Sequence, residues 1–183
     1  MLTIDLSEFP TLRTERLILR RLTTADADAL FAMRSDPRVM RHIGRPQAST
    51  RQDALDLIDR IEANLDANEG ITWGMTTHGN DTVIGTIGYY RLKLEHHLGE
   101  IGYMLHPDHW GKGLMSEALN ACVSHGFGKL GFHRIEGITD PANGASRKLL
   151  ERSGFVHEAT LQENYYWNGV FMDSCIYRRL VGD

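Results

Sequence analysis

Residues 106–119 read HPDHWGKGLMSEAL and place two glycines around a lysine, directly before a helical pattern. The first amides of a helix have no partner within the helix, and the helix dipole adds partial positive charge at that end. Gly111 and Gly113 allow the backbone to approach a bound group closely. Lys112 adds a positive charge, and Ser116 adds a hydroxyl donor in the first turn. The stretch is typical of an anion site at a helix N-terminus, with a mere tight turn as the alternative.

Two common phosphate-binding motifs differ from this stretch. A Walker A loop has the form GxxxxGK[ST], whereas here Gly113 follows the lysine. A dinucleotide fingerprint has the form GxGxxG, whereas Ser116 stands at its third glycine position. The glycine pair alone therefore leaves the anion site and the tight turn both open.

The elements around this stretch follow from hydrophobic periodicity and from helix caps and breakers. Spacing of three and four residues predicts helices over residues 24–34, 51–69, 112–128 and 143–152. Segments rich in β-branched and aromatic residues predict strands at 16–22, 71–77, 82–91, 98–106, 133–139, 155–161 and 170–180. A loop that contains Tyr165, Tyr166 and Trp167 is expected between the last two strands.

The order of these elements indicates an α/β (α+β) fold. The strands between residues 71 and 106 follow one another closely and are expected to be antiparallel. The helix over 112–128 is a crossover, so strand 133–139 is expected to run parallel to strand 98–106. The chain is thus predicted to form one domain over residues 1–183, with a mixed sheet and helices on its faces.

Composition excludes several classes of protein. The chain has 183 residues, of which 42% are hydrophobic and 24% charged, and its net charge is −4. This acidic balance gives no reason to expect a nucleic-acid partner. Cys122 and Cys175 are the two cysteines and form no CxxC pair, which argues against a disulfide framework or a cysteine zinc site. With no signal-peptide pattern and no apolar run of about 20 residues, we expect a soluble cytoplasmic protein with no membrane partner.

A second helix start lies beyond the crossover. Residues 140–155 read DPANGASRKLLERSGF, in which Asn143 is a good N-cap and Gly154 a left-handed C-terminal residue. Ser146 falls three residues after the cap. Two helix N-termini therefore follow the C-terminal ends of two neighbouring parallel strands, where ligands bind in open α/β sheets.

The whole pattern resembles the GNAT acetyltransferases, which use acetyl-CoA, and is most similar to their RimJ/RimL branch of ribosomal-protein N-terminal acetyltransferases. The matching segments are TERLILRRLTTADADAL (14–30), GEIGYMLHPDHWGKGLMSEAL (99–119), FGKLGFHRIEGITDPANGASRKLLERSGF (127–155) and NGVFMDSCIYRRL (168–180). They span nearly the whole chain and are specific as an ordered set. The resemblance implies a splayed, largely antiparallel sheet of about seven strands flanked by about four helices.

The resemblance also implies where acetyl-CoA binds. It implies no metal cofactor. The pantetheine arm would enter between strands 98–106 and 133–139 and bond to the free backbone of Met104, Leu105 and His106. Asn143 and Ser146 would flank the arm. The pyrophosphate would lie on the turn and helix start formed by Trp110, Gly111, Lys112, Gly113, Leu114, Met115 and Ser116.

Three positions depart from the family pattern. The family commonly has Gln or Arg at Trp110 and Gly or Ala at Met115. Many members carry a tyrosine general acid where this sequence has Leu150. The tyrosine acid is therefore absent from its common place.

Acetyl transfer to an amine needs a base for the amine proton and a donor for the departing thiolate. Glu100 matches the base of several relatives, and its alternative role is a surface carboxylate paired with an arginine. Ser146 lies one turn before Leu150 on the same helix face and can donate to the thiolate, with simple helix capping as its alternative. Glu163 or Tyr165 is a weaker candidate for contact with the acceptor.

The acceptor is not indicated by the residues themselves. Arg41 and Arg45 lie in a loop that either borders an acceptor cleft or is simply solvated. The resemblance points to a ribosomal or other protein N-terminus, with a small-molecule amine as the alternative, and to a homodimer as a family habit. Two other functions stay open at this point. One is a CoA-binding sensor without catalysis, and the other is a nicotinamide oxidoreductase in which Asp140 binds a ribose.

Overall fold

A computed structural model describes residues 2–183. The described chain contains five α-helices, namely α1 (Ala27–Ser35), α2 (Pro37–Met40), α3 (Arg51–Asp66), α4 (Leu114–Gly128) and α5 (Gly144–Arg152). It also contains eight strands, namely β1 (Leu12–Arg13), β2 (Leu17–Arg20), β3 (Ile71–Thr77), β4 (Asn80–Lys93), β5 (Leu98–Leu105), β6 (Arg134–Thr139), β7 (Val156–Trp167) and β8 (Val170–Leu180).

All eight strands form one sheet in the order β1-β2-β3-β4-β5-β6-β8-β7. Every neighbouring pair is antiparallel except β5 and β6, which are parallel and joined by the α4 crossover. The predicted mixed, largely antiparallel sheet is confirmed. The additional strand is the two-residue β1, and the additional helix is the four-residue α2.

Helices cover both faces of the sheet. Val83 and Ile84 are adjacent in β4 but belong to different buried clusters, because successive side chains of a strand point to opposite faces. Ile84 belongs to the larger cluster, which includes Trp73 and Leu119 of α4. Val83 belongs to the smaller cluster with residues of α1 and α3. The sheet therefore has an α4/α5 face and an α1/α3 face.

Helix caps are present at α3 and α5. Thr50 begins α3 in a capping box with Asp53. Asn143 begins α5, and its side chain accepts from the amide of Ser146 at 3.1 Å. Gly154 has φ of 80°, as expected for a left-handed residue after a helix.

Two sequence-based boundaries were wrong. Residues 165–167 lie in β7 rather than in a loop, because the strands continue to a tight turn at Asn168 and Gly169, with φ of 49° and 83°. Asn-Gly is a strong two-residue hairpin signal, and it was present in the sequence. Helix α3 ends at Asp66 rather than near Gly70, since Asn68 takes the left-handed conformation with φ of 56°.

The parallel strands part at their C-terminal ends. Their Cα partners run from Leu98 with Arg134 to Ile101 with Gly137 and no further. Strand β5 nevertheless stays paired with β4 as far as Leu105, and β6 with β8 as far as Thr139. Residues 102–105 and 138–139 thus border an opening, called here the β5–β6 gap.

Candidate functional site

The glycine turn brings free amides to the start of α4. Gly111 and Gly113 have φ of 73° and 75°, a region that L side chains rarely adopt. Within the described chain, no group accepts a hydrogen bond from the amides of residues 111–116. These amides lie at the positive end of a 15-residue helix, so the turn can bind an anion through its backbone.

Arg16 holds this turn from the side, and sequence reasoning missed it. Its Nη1 donates to the carbonyl of Lys112 at 2.9 Å, and its Nε donates to Glu117 Oε2 at 2.7 Å. The same glutamate also accepts from the backbone amide of Arg16 at 2.7 Å. The only signal in the sequence was the segment 14–30, which contributed to the family resemblance without assigning a role to this arginine.

Trp110 connects the turn to the end of β5. Its indole Nε1 donates to the carbonyl of Leu105 at 2.8 Å, while 47% of the residue surface remains exposed. Met115, the other unusual residue of the stretch, is 8% exposed and packs in the larger cluster. The two departures from the family pattern thus serve the shape of the turn and the core beneath it.

The prediction that Met104, Leu105 and His106 all have free backbone groups on β5 was wrong in part. The amide of His106 donates to Ile84 on β4 at 2.8 Å, so it is used within the sheet. Because alternate residues of an antiparallel strand face the partner, Met104 also directs its backbone toward β4, where its Cα partner is Thr86. Tyr103 and Leu105 instead direct theirs toward the gap.

Ser146 points its hydroxyl toward the same region. Its Oγ lies 2.8 Å from Tyr103 Oη, whereas its amide is the group that Asn143 caps. Burial raises the pKa of Tyr103 to about 12, and its hydrogen bond with Ser146 opposes this only in part. Leu150 is 1% exposed and belongs to the core. Tyr103 was not among the residues that the sequence indicated.

Glu100 lies on the other face of β5, where its neighbours are charged. Arg91 Nη1 contacts both carboxylate oxygens at 3.1 and 3.2 Å, which matches the alternative of an arginine-paired carboxylate. Its Cα partner on β6 is Glu136. Burial raises the pKa of Glu100, Arg91 opposes the rise and Glu136 adds to it. The residue stands at the closed end of the gap, where the strands are still paired.

A cleft lies next to the loop of His42, which is bonded to Asp140 at the end of β6. It has a volume of about 450 Å³ and is lined by residues of the segment 37–47 and by the tip of the β7–β8 hairpin. Arg41 and Arg45 line it, as does Trp167. Tyr165 lies nearby, since a Cβ built on Gly44 would be 3.3 Å from its ring. Glu163, by contrast, occupies a bulge of β7 with its amide bonded to Asp173 at 2.8 Å.

Other sequence expectations concern absences. In residues 2–183, no cluster of three or more His, Cys, Asp or Glu side chains is arranged to hold a metal ion. No helix in this part of the chain is long and apolar enough to cross a membrane. Asp140, the candidate ribose ligand of an oxidoreductase, is bonded to His42.

Comparison with known proteins agrees with this geometry. The family model "Acetyltransferase (GNAT) domain" matches residues 16–156. "Uncharacterized N-acetyltransferase YoaA" of Bacillus subtilis is 38% identical over 169 residues, covering 92% of this chain and 96% of the relative. The "Ribosomal-protein-serine acetyltransferase" of Escherichia coli is 32% identical over 103 residues, covering 55% and 56%. A solved GNAT acetyltransferase from Bacillus anthracis has a TM-score of 0.85 at 25% identity, covering 95% of this chain and 100% of its own.

Proposed function

The chain belongs to the GNAT acetyltransferase family, and on this basis we propose that it transfers the acetyl group of acetyl-CoA to a primary amine. The amine attacks the thioester carbon directly. The observation that carries the proposal is the row of free amides at residues 111–116, which lies beside the β5–β6 gap. Residues 1–183 act as one domain in this proposal.

The cofactor lies across the turn and into the gap. Its pyrophosphate binds the backbone of Gly111, Lys112, Gly113, Leu114, Met115 and Ser116, where the helix dipole favours negative charge. Trp110 supports this turn through its bond to Leu105. The pantetheine arm runs along β5 near Met104 and Leu105, with His106 lining the exit, and Asn143 and Ser146 lie on its other side.

The reaction has one bond forming and one breaking. The amine nitrogen forms a bond to the carbonyl carbon, and the C–S bond then breaks to release the thiolate of coenzyme A. A backbone amide of β5 that faces the gap, at Tyr103 or Leu105, stabilises the oxyanion. Ser146 donates its hydroxyl proton in a hydrogen bond to the thiolate. Glu100 receives the proton of the attacking nitrogen through a chain of water molecules.

The proposed thiolate donor and the proposed base lie on opposite faces of the sheet, which suits their separate roles. Tyr103 and Ser146 face α4 and α5, on the side of the cofactor turn. Glu100 faces the α1/α3 side, which the 450 Å³ cleft also borders. The acceptor thus approaches from the face opposite the cofactor.

For the acceptor we propose an α-amine at a protein N-terminus. Support comes from the matched ribosomal-protein-serine acetyltransferase of Escherichia coli. A second matched relative is the "Spermidine N(1)-acetyltransferase" of Vibrio cholerae, 29% identical over 91 residues, which makes a polyamine the alternative acceptor. A competition assay with N-terminal peptides and spermidine separates the two. A homodimer stays a prediction, which light scattering tests.

The first experiment measures the thermal stability of the protein with and without acetyl-CoA. At a concentration 100 times the Kd, acetyl-CoA should stabilise the fold by about 2.7 kcal/mol, which raises the Tm of a chain of this size by roughly 5–10 °C. NADH at equal concentration should produce no rise and no change in its fluorescence. No thermal shift with millimolar acetyl-CoA would overturn the proposal.

A further inference from the structure

His42 and Asp140 form a hydrogen-bonded pair at the open end of the β5–β6 gap. His42 Nδ1 lies 2.7 Å from Asp140 Oδ2, although the two residues are 98 positions apart in the sequence. Their side chains are 23% and 12% exposed, respectively. Asp140 directly follows the last residue of β6, and His42 lies in the loop after α2. The pair therefore joins the acceptor-side loop to the strand that borders the gap.

The strand register places this pair beside the expected reaction centre. Glu100 is the Cα partner of Glu136. The same register, continued for three residues beyond the last pair (Ile101 with Gly137), brings Asp140 level with Met104 across the gap. Glu100 lies four residues before Met104 on β5, which is a distance of about 13 Å at about 3.3 Å per residue. Of the two candidate proton acceptors, the His42 pair is thus nearer the β5 segment that receives the pantetheine arm.

The carboxylate of Asp140 is oriented by the chain that follows it. Its Oδ1 accepts from the amide of Ala142 at 2.8 Å, and its carbonyl accepts from the amide of Asn143 at 2.9 Å. The turn that leads into α5 therefore directs Oδ2 at His42. An imidazole whose Nδ1 donates to a carboxylate carries its lone pair on Nε2. Among residues 2–183, no group forms a hydrogen bond with that Nε2.

The surroundings of the pair include several charged and titratable groups. Arg41 and Arg45 belong to the same loop as His42 and line the adjacent cleft. Tyr165 of β7 approaches from the hairpin, and burial together with the charge of Asp140 raises its pKa. Arg147 of α5 donates to the carbonyl of Pro141 at 3.3 Å. The cations of the loop disfavour the ammonium form of an amine that enters the cleft.

We propose that His42, oriented by Asp140, is the base that removes the first proton from the ammonium group of the acceptor. The inference rests on the proposed acetyl transfer. One N–H bond of the ammonium breaks and an Nε2–H bond forms, which gives a neutral amine and an imidazolium stabilised by Asp140. The imidazolium then releases its proton to water. The second proton leaves nitrogen after the attack on the thioester and passes to Glu100, so the two bases serve different steps.

The competing role for the pair is a structural one, in which it only fastens the loop to the sheet. The two roles differ in their dependence on pH. A base for the ammonium group is needed when the acceptor is protonated and becomes unnecessary when the amine is already neutral. A fastening contact is needed at every pH. The ordinary pKa of a peptide α-amine, about 7.7–8.0, brings this change into an accessible range.

The test is kcat/KM for a peptide whose only free amine is its N-terminus, measured from pH 6.5 to 9.5 at saturating acetyl-CoA. His42→Gln should lower kcat/KM about 100-fold near pH 6.5, and the deficit should shrink to a few-fold near pH 9.5. Asp140→Asn should produce a smaller deficit with the same trend. His96→Gln, at a side chain that is 69% exposed, is the matched control and should equal the wild type. The acetyl-CoA-induced shift in Tm should be unchanged in all three variants.

Each result decides between the roles. A deficit of equal size at every pH in both variants, or no deficit in either, would overturn the inference while leaving the proposed function intact. Should His42→Gln fail to fold, Asp140→Asn alone is decisive, because its amide retains the shape of the carboxylate. If the wild-type protein binds acetyl-CoA but forms no acetylated product, the proposed function and the inference both fall.

Discussion

Ser146 uses its amide and its hydroxyl for different purposes. The amide is capped by Asn143, and the hydroxyl lies 2.8 Å from Tyr103 Oη. Because burial raises the pKa of Tyr103 to about 12, the tyrosine keeps its proton at neutral pH and can donate it to Ser146 Oγ. The serine proton is then free to point into the gap. Helix capping and thiolate stabilisation are therefore separable at this residue.

Substitution at Ser146 tests the thiolate donor. Ser146→Ala keeps the capped amide but removes the hydroxyl, so kcat should fall about 100-fold with little change in the KM for acetyl-CoA. Tyr103→Phe should produce a smaller decrease, since it removes only the group that orients the hydroxyl. Steady-state kinetics at saturating amine provides both values. An unchanged kcat in Ser146→Ala would exclude the serine as donor.

The basicity of Glu100 depends on Arg91. Burial and Glu136 raise the pKa of Glu100, and Arg91 lowers it. A base acts as the carboxylate, so activity should fall as pH decreases through that pKa. Arg91→Ala should therefore move the acid limb of kcat to higher pH, and Glu100→Gln should remove the limb together with most of the activity. If the acid limb of kcat stays at the same pH in Arg91→Ala, or moves to lower pH, a group other than Glu100 controls that limb.

The turn before α4 is the element on which the proposed mode of cofactor binding depends. A Cβ at Gly111 would meet nothing within 4 Å, and one at Gly113 would lie 3.5 Å from Arg16 Nη2, an ordinary contact. Space therefore permits alanine at both positions. The conformation does not, because φ of 73° and 75° costs an L residue about 1–2 kcal/mol.

Gly113→Ala should displace the turn amides and raise the Kd for acetyl-CoA about tenfold or more, as measured by calorimetric titration. Gly128→Ala is the matched control, since a Cβ there also meets open space but lies within helix α4. That variant should bind as the wild type does and unfold at the same or a higher temperature. Equal Kd values in the two variants would contradict a backbone-mediated anion site.

A buried ion pair holds the first helix to the sheet. Both oxygens of Asp26, which is 6% exposed, accept from Arg20 at 2.8 and 2.9 Å, and the amide of Thr23 donates at 2.8 Å. Burial alone would raise the pKa of Asp26, but these hydrogen bonds hold it below its ordinary value. The pair's stabilisation is thus fully present above the unfolded pKa and is lost as pH falls through the folded one.

Asp26→Asn should lower the free energy of unfolding by about 3 kcal/mol at pH 7, because Arg20 then loses its buried partner. The deficit should begin to shrink as pH falls below about 4, where Asp26 of the unfolded chain becomes protonated, and should be lost below the lower pKa of the folded state. Urea unfolding at pH 7 and at a pH below about 4 measures both effects. Asp28→Asn, at a side chain that is 78% exposed, should change little. A deficit that is constant with pH would contradict the stated role of the ion pair.

At the scale of elements, local patterns were sufficient for most of the fold. The caps at Thr50 and Asn143 and the α4 crossover follow from residues close together in the sequence. Strand register does not, and it determines that Tyr103 and Leu105, rather than His106, direct their backbone into the gap. The Asn168–Gly169 pair is a local hairpin signal. It was not used, because the aromatic residues before it were assigned to a loop.

At the scale of the whole molecule, the sheet separates the two halves of the proposed site. The turn and Ser146 lie with α4 and α5, whereas Glu100, His42 and the cleft lie on the α1/α3 side. The proposed cofactor half is built from short sequence motifs, which is why the sequence analysis could nominate most of its residues. The acceptor half is built from the segment 37–47, the end of β6 and the β7–β8 hairpin. Such long-range contacts are not encoded in any local pattern, and the His42–Asp140 pair was therefore not predicted.

The most direct test of the central claim is acetylation of an amine panel, with products measured by mass spectrometry after incubation with acetyl-CoA. The panel comprises peptides with free N-termini, spermidine and free amino acids. We expect enzyme-dependent acetylation of at least one amine by the wild-type protein, strongly reduced in Ser146→Ala and in Gly113→Ala at subsaturating acetyl-CoA. Equal product yields with and without the enzyme across the panel, or full activity in both variants, would contradict this expectation.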